Sequence, residues 1–318
     1  MDASIPIPTL CIVVPCYNEE EALPNTARTL HTLLQNLVEE GSVTSESHVC
    51  FVNDGSTDST WMQIKRLITE THAFRGVNLS RNFGHQSALL AGLFTADADV
   101  YVSIDADLQD DERKISDMLE QYRKGNDIVY GCRNNRDTDT WFKRNTAEIF
   151  YRLRELAGCY TIRNHADFRL MSKRAVKALQ QYQEVNLYIR GIIPLLGFPS
   201  EKVYYTRKSR EQGKSKYPFH KMVILAWDGI VNFSETPLML CVMIGVVGIL
   251  ISLGLIIWVL WLWFHGNVIH GWASQLIVVT VFSSLQFIFL GIIGLYIGKI
   301  MRETKRRPRF IVQDNYTN

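Results

Sequence analysis

The sequence has no pair of cysteines at short spacing: Cys11, Cys16, Cys50, Cys132, Cys159 and Cys241 are scattered along the chain. That excludes a zinc-ribbon arrangement and a disulfide framework, and fits a reducing compartment for the soluble part. No Gly-rich phosphate loop of the G-x-G-x-x-G or Walker kind occurs, so dinucleotide and P-loop readings have little support. The net charge is only +2, too small for a broad phosphate-neutralising face, and no nucleic-acid partner is expected. Met1 to Pro8 has no basic flank ahead of an apolar core, so no cleavable signal peptide is expected.

Charge is almost absent between Pro237 and Ile300, whereas the first two thirds of the chain reads like an ordinary soluble protein. Two stretches there, about Pro237 to Phe264 and about Ala273 to Ile300, each exceed the roughly 20 apolar residues needed to cross a membrane, and neither carries the polar stripe of a buried core helix. The connection His265 to Trp272 has no Lys or Arg. Lys214, Lys216 and Lys221 precede the first stretch, and Lys299, Arg302, Lys305, Arg306, Arg307 and Arg309 follow the second. The positive-inside rule then predicts a multi-pass protein of the cytoplasmic (inner) membrane with both termini cytosolic. Trp258, Trp261, Trp263 and Trp272 gather near the lysine-free side, where indole rings favour the interface.

Tyr217 to Glu235 mixes apolar with charged residues and reads equally as an amphipathic helix on the membrane surface or as a helix packed on the soluble domain. The expected organisation is a cytosolic α/β domain over 1–216, a juxtamembrane helix over 217–236, membrane helices over 237–264 and 273–300 joined by a non-cytosolic loop over 265–272, and a basic cytosolic tail over 301–318. Gly245, Gly248, Gly254, Gly291, Gly294 and Gly298 permit close helix packing within or between chains, leaving a homo-oligomer open.

In the soluble part, short β-branched runs at Leu10 to Val14, Val49 to Val52, Gly76 to Leu79, Val100 to Ile104 and Ile128 to Tyr130 read as buried strands. Helical spacing at Ala22 to Val38, Thr60 to Thr71, Gln86 to Phe94 and Ile115 to Tyr122 falls between them. The pattern predicts βαβ units and a mostly parallel sheet, with ligands beyond the carboxyl ends of the strands. Polar clusters begin where strands end: Pro15-Cys16-Tyr17-Asn18-Glu19, Asn53-Asp54-Gly55-Ser56, Arg81-Asn82-Phe83-Gly84 and Asp105-Ala106-Asp107-Leu108-Gln109.

In extended backbone, Asp105 and Asp107 face the same side. Two such carboxylates suit Mg²⁺ or Mn²⁺, and a cation of that kind suits a diphosphate ligand. Asp-x-Asp also serves in turns and helix caps, and Asp110 or Asp111 could cap the next helix, as Ser56 or Asp58 could cap an earlier one.

The runs Val14 to Glu20, Val52 to Asp58, Ser80 to Gly84 and Asp105 to Asp110 resemble the successive motifs of inverting family-two glycosyltransferases with the GT-A fold. Ala166 to Ser172 and Arg210 to Tyr217, with two terminal membrane helices, resemble the polyprenyl-phosphate branch, including the bactoprenol glucosyltransferases of O-antigen modification and, more distantly, dolichyl-phosphate mannose synthase. Asp111 stands where many relatives have Pro, which bears on the start of the following helix.

The resemblance implies nucleotide-sugar binding by Pro15, Tyr17, Asn18, Glu19, Asp54, Ser56 and Arg81, and metal and diphosphate contacts by Asp105, Asp107 and Gln109. Asp105, Asp107 and Asp167 are the implied catalytic residues, with Asp167 either a base or sugar contact or the structural partner of Arg169. Arg133 either approaches the donor or makes a surface salt bridge.

A hydroxyl acceptor needs a general base, whereas a phosphate monoester is largely dianionic at neutral pH and needs cations to position it. Arg207, Arg210, Lys214, Ser215 and Lys216 supply a candidate acceptor-phosphate clamp. The expected reaction is a single displacement that moves one sugar, glucose from UDP-glucose being the first candidate, onto polyprenyl phosphate, with a downstream flippase and a polymer-modifying transferase as further partners. Other sugars, such as mannose or a modified arabinose, and a non-catalytic nucleotide-sugar sensor are the alternatives. A processive synthase is disfavoured by the lack of a Gln-x-x-Arg-Trp segment, and a flippase by the thin set of polar residues in the apolar stretches.

Overall fold

The computed structural model describes residues 6–134, 165–184, 189–206, 236–265 and 271–317. They fall into two compact units, one holding the sheet, its helices and the chain from residue 307 onward, the other holding two long helices.

In the first unit β1 (Leu10–Cys16), α1 (Leu23–Glu39), β2 (His48–Asn53), α2 (Thr60–Glu70), β3 (Phe74–Leu79), α3 (His85–Thr95), β4 (Val100–Ser103), α4 (Lys114–Arg123) and β5 (Ile128–Arg133) follow in order. All the strands and helices expected from periodicity are present, with ends shifted by a few residues. Strands β1 and β2 are buried along their whole length, as unbroken apolar runs are when both faces of a strand are covered.

Leu10, Ile12, Val14 and Phe51 pack on one face with Leu23, Leu30 and Ile64 from α1 and α2. Helix α3 crosses the other face, so near the sheet that a Cβ on Gly92 would lie 2.4 Å from Val13 Cγ1 and 2.7 Å from Val52 Cγ2.

Among the described residues the sheet has eight strands and is mixed rather than mostly parallel. Its order is β7-β5-β6-β4-β1-β2-β3-β8, completed by β6 (His165–Ser172), β7 (Ser200–Tyr205) and β8 (Val312–Tyr316), with α5 (Lys173–Gln180) and α6 (Ile189–Leu195) between. Strand β6 enters antiparallel between β4 and β5, and β8 pairs antiparallel with β3. Neither shows a β-branched run: β6 alternates buried Phe168 and Leu170 with Asp167 and Arg169, and β8 is polar. The final strand lies within the stretch read as a basic tail.

The chain runs outward from β1 through β2 to β3, then returns to place β4 on the other side of β1. That reversal creates a switch point between the carboxyl ends of β1 and β4, where a ligand crevice opens in sheets of this kind.

The second unit contains α7 (Thr236–Phe264), of 29 residues, and α8 (Trp272–Thr304), of 33. They meet where Gly248 lies beside Phe282. Among the described residues the segment Leu285–Thr304 is long and apolar enough to cross a membrane, and none of it is buried in its unit. On α7, Met243, Val247, Leu250, Ile257 and Trp258 are exposed. The expected helix over 217–235 and most of the 265–272 connection lie outside the described residues.

Gly92→Ala must push α3 off the sheet, and overpacking of this kind costs about 1–3 kcal/mol. Denaturant unfolding of the detergent-solubilised chain should show that loss, and an unchanged midpoint would contradict the close approach.

Candidate active site

The loops after β1 and β2 are stitched together by backbone N–H groups donating to side chains. Asn18 N–H donates to Ser56 Oγ at 3.0 Å and Thr57 N–H donates back to Asn18 Oδ1 at 2.9 Å. Glu19 N–H donates to Thr60 Oγ1 at 2.9 Å, and Glu20 accepts from Ser59 N–H and Oγ–H. Asn18 has φ of 53°, a left-handed conformation that Asn tolerates. Pro15 is buried within β1, opposite Val52. The β4 ladder already ends at Val13 and Ser103, so the missing proline N–H leaves no bond unmade on that side. Tyr17, 46% exposed, offers an open aromatic face at the end of β1.

Asp54 is buried, and its two oxygens accept from Phe83 N–H at 2.7 Å and Gly84 N–H at 2.9 Å. Burial pushes its pKa up, and those two N–H groups partly offset the shift. The carboxylate therefore ties the β2 loop to the β3 loop. Gly55 sits at the crossing with φ of 63°, where a Cβ would meet the Arg81 carbonyl carbon at 2.4 Å. The Arg81 guanidinium lies over the Phe83 ring, 4.0 Å from its centre. Asp58 accepts from Thr60 N–H at 3.0 Å at the start of α2, so the capping role falls to it, and Ser56 serves as the stitch.

Strand β4 stops at Ser103, so Asp105 and Asp107 occupy a turn. Their backbone is not extended, so they do not share one face of a strand as the sequence leads one to expect. Leu108 has φ of 47°, Gln109 N–H donates to Asp107 Oδ1 at 3.2 Å, and Thr26 Oγ–H donates to Ala106 O at 2.6 Å. These bonds hold Asp107 exposed and the Asp105 side chain 40% exposed.

Asp167, on β6, lies at the centre of a charge cluster. Arg190 of α6 forks onto both its oxygens at 3.0 and 2.7 Å, and Arg169 donates to Oδ1 at 2.5 Å. His85, the first residue of α3, bridges it to the turn: its Nε2 is 3.7 Å from Asp167 Oδ2 and 3.6 Å from Asp105 Oδ1. Burial works against the charge on Asp167, but His85, Arg169 and Arg190 outweigh it and hold the carboxyl well below the usual range. Burial also opposes a charged His85, but Asp167 and Asp105 raise its pKa. Asp105 moves up, through burial first and then through Asp167, Asp110 and Asp107, with His85 pulling the other way.

Asp110 does not cap α4. Its Oδ1 accepts from Tyr205 Oη–H at 2.5 Å and from Arg133 Nη2 at 3.3 Å, while Asp111 accepts from Arg113 N–H at the helix start. Arg133, about one third exposed, is thus anchored across β5, β7 and the end of the acidic turn. His85 and Arg190 went unnoticed in the sequence. The position of His85 directly after Arg81-Asn82-Phe83-Gly84 was the one available hint. Arg207, Arg210, Lys214, Ser215 and Lys216 lie outside the described residues.

The acidic turn fits a divalent cation. Its donors are hard oxygens, and the carboxylates crowding Asp105 create a need for positive charge that a cation meets. Gln109 is 5% exposed, and its Nε2 has no hydrogen-bond partner among the described residues; this N–H donor suits a phosphate oxygen, not the cation itself. Among the described residues no three His, Cys, Asp or Glu side chains form a cage. Two carboxylates suffice for Mg²⁺ or Mn²⁺, which draw the rest of their shell from phosphate and water.

Acidic chemistry held at the switch point of a mixed α/β sheet is the arrangement of a GT-A-like glycosyltransferase. The chain belongs to glycosyl transferase family 2, whose model matches residues 11–180. It is 45% identical over 315 residues to YkoT, an uncharacterised glycosyltransferase of Bacillus subtilis (strain 168), covering 98% of this chain and 93% of that one. It is 35% identical to a prophage bactoprenol glucosyl transferase homolog of Escherichia coli (strain K12) and 36% identical to the bactoprenol glucosyl transferase of Shigella phage SfX, in each case over 96% of this chain and 98% of the relative. Among solved structures, the mannosyltransferase PcManGT from Pyrobaculum calidifontis, in complex with GDP-Man and Mn²⁺, matches with a TM-score of 0.49 at 17% identity, over 71% of this chain and 62% of that one.

The Arg190 fork onto Asp167 is partly exposed, so removing it should cost about 1–2 kcal/mol, below the range for a fully buried pair. Unfolding of Arg190→Met, Asp167→Asn and the double variant should give less than the sum of the two single losses. Strict additivity would show that the pair contributes nothing.

Proposed function

We propose that this protein transfers one sugar from a nucleotide-sugar donor, with UDP-glucose the first candidate, to a polyprenyl phosphate such as undecaprenyl phosphate, with inversion at the anomeric carbon. The observation that carries the reading is the engagement of Asp167. Both its oxygens are held by Arg190, with Arg169 on one of them, so this carboxylate is unavailable to deprotonate an acceptor. An acceptor that arrives as a phosphate dianion needs no base. Identity of 35–36% over nearly the whole chain to a bactoprenol glucosyl transferase and a homolog supports the same acceptor class.

The donor would lie across the switch point. Tyr17 and the stitched loops would take the nucleoside, and Asp105, Asp107 and Gln109 would face the diphosphate. A divalent cation held there by Asp105 and Asp107 would neutralise diphosphate charge. The acceptor oxygen attacks the anomeric carbon as the bond to the donor phosphate breaks, and the nucleoside diphosphate departs with that electron pair. Arg169 and Arg190 fix Asp167, which with His85 sets the position of Asp105. Arg133, bonded to Asp110 and Tyr205, would approach the donor from that side.

For the lipid substrate, α7 and α8 would both span the membrane, with the ends of the chain cytosolic. The support is the charge-free sequence of α7, the apolar segment Leu285–Thr304 and the Lys/Arg imbalance around them. Arg207, Arg210, Lys214, Ser215 and Lys216 would clamp the acceptor phosphate, and the lipid-linked sugar would pass to a flippase and a polymer-modifying transferase.

The test incubates the purified full-length protein with labelled UDP-glucose, undecaprenyl phosphate and Mg²⁺ or Mn²⁺, with GDP-mannose as a parallel donor. The expected product is a lipid-linked monosaccharide, lost on adding EDTA and reduced about 100-fold or more in Asp107→Asn. Absence of lipid product with every donor would overturn the acceptor assignment, and full activity in EDTA would overturn the metal role.

A further inference from the structure

A row of polar side chains crosses three adjacent strands just behind the donor loops. Asn53 on β2 lies opposite Asn78 on β3, and Asn78 lies opposite Asp314 on β8. Asn78 Nδ2 donates to Asp314 Oδ2 at 2.8 Å, Asn53 Nδ2 donates to Asn78 Oδ1 at 2.7 Å, Ser56 N–H donates to Asn53 Oδ1 at 3.3 Å, and Asn18 N–H donates to Ser56 Oγ at 3.0 Å. The four bonds all run in one direction.

That direction follows from the chemistry of the last group. An ionised carboxylate only accepts, whereas an amide presents both a donor and an acceptor. Asp314 therefore turns the Asn78 amino group toward itself and leaves the Asn78 oxygen for Asn53. Asn53, turned in the same way, keeps its oxygen for the Ser56 N–H. Asn53 is 2% exposed and Asn78 7% exposed, so water does not readily replace a lost link, and bonds in such a chain polarise one another. Asp314 stands opposite Asn78 in the same register that pairs Gly76 with Tyr316 and Val77 with Asn315, and the register shifts only beyond it, between Asn78 and Leu79. The strand is held on either side by Ser80 N–H donating to Ile311 O and by Arg75 donating to Thr317 O.

We infer that Asp314 is a positioning residue for the donor loops, and that β8, which follows α8 in sequence, is a working part of the nucleotide-sugar site. The inference rests on the donor reading above. It makes the Asp54-Gly55-Ser56 turn and Asn18 dependent, through Asn78, on a residue 236 positions beyond Asn78.

The experiment is calorimetric binding of UDP-glucose, with Mn²⁺ and in parallel GDP-mannose, to the full-length protein in detergent. Asp314→Ala should raise the dissociation constant about three- to tenfold, the range a lost hydrogen bond spans. Asp314→Asn, whose carboxamide oxygen accepts the same bond, should stay within about twofold of wild type. Asn78→Ala, which removes the middle link and leaves β8 its carboxylate, should match Asp314→Ala and serves if that variant does not fold. A strand that merely braces the sheet would lower the unfolding midpoint and leave the dissociation constant of the folded protein unchanged, and that result overturns the inference. If wild type binds neither nucleotide sugar, the donor reading falls and this inference falls with it. If wild type binds and the Ala variants bind equally well, the inference alone fails.

Discussion

The Asp167 carboxylate, 13% exposed in its side chain, is the constraint around which the site is organised. Such a group is costly unless paired, because the protein must replace the water it loses. Arg169 from the same strand, Arg190 from α6 and His85 from the first turn of α3 meet that need together. Each comes from a different stretch of chain. Satisfying one carboxylate therefore brings β6, α6 and α3 to the acidic turn, and His85 carries the order one step further to Asp105.

The sheet supplies the place and the loops supply the shape. Reversal of strand order at β1 opens the crevice beside β4, and α3 seals the sheet below it by using Gly92 to approach within van der Waals range of Val13 and Val52. Above, the loops after β1, β2 and β3 are joined by side chains accepting from backbone N–H groups. Loops joined in this way hold their polar groups in place in advance, and such preorganisation is where electrostatic catalysis draws its advantage.

Much of the first half of the fold was legible in the sequence, because strands covered on both faces need apolar runs, and those of β1, β2 and β4 are plain while β3 and β5 keep shorter ones. Strands β6 and β8 were not, since one alternates charge with apolar residues and the other is mostly polar. The strand-end rule placed Tyr17, Asp54 and Asp105 at the carboxyl ends of β1, β2 and β4, and they lie there in the structure. Roles within it were harder to read: Asp54 and Ser56 sit in the expected place but bond to neighbouring loops, and Asp110 joins Tyr205 rather than a helix end. Arg190 lies in an unremarkable apolar stretch, and only the tertiary fold places it on Asp167.

The Asp105 to Asp107 turn is proposed as the place where a divalent cation and a nucleotide sugar meet. Electron paramagnetic resonance of Mn²⁺ titrated into the full-length protein, with and without UDP-glucose, tests it directly. The expected result is bound Mn²⁺ whose affinity rises when the nucleotide sugar is present, and which is lost in Asp105→Asn and Asp107→Asn variants that remain folded. Equal Mn²⁺ binding by wild type and both variants would contradict it.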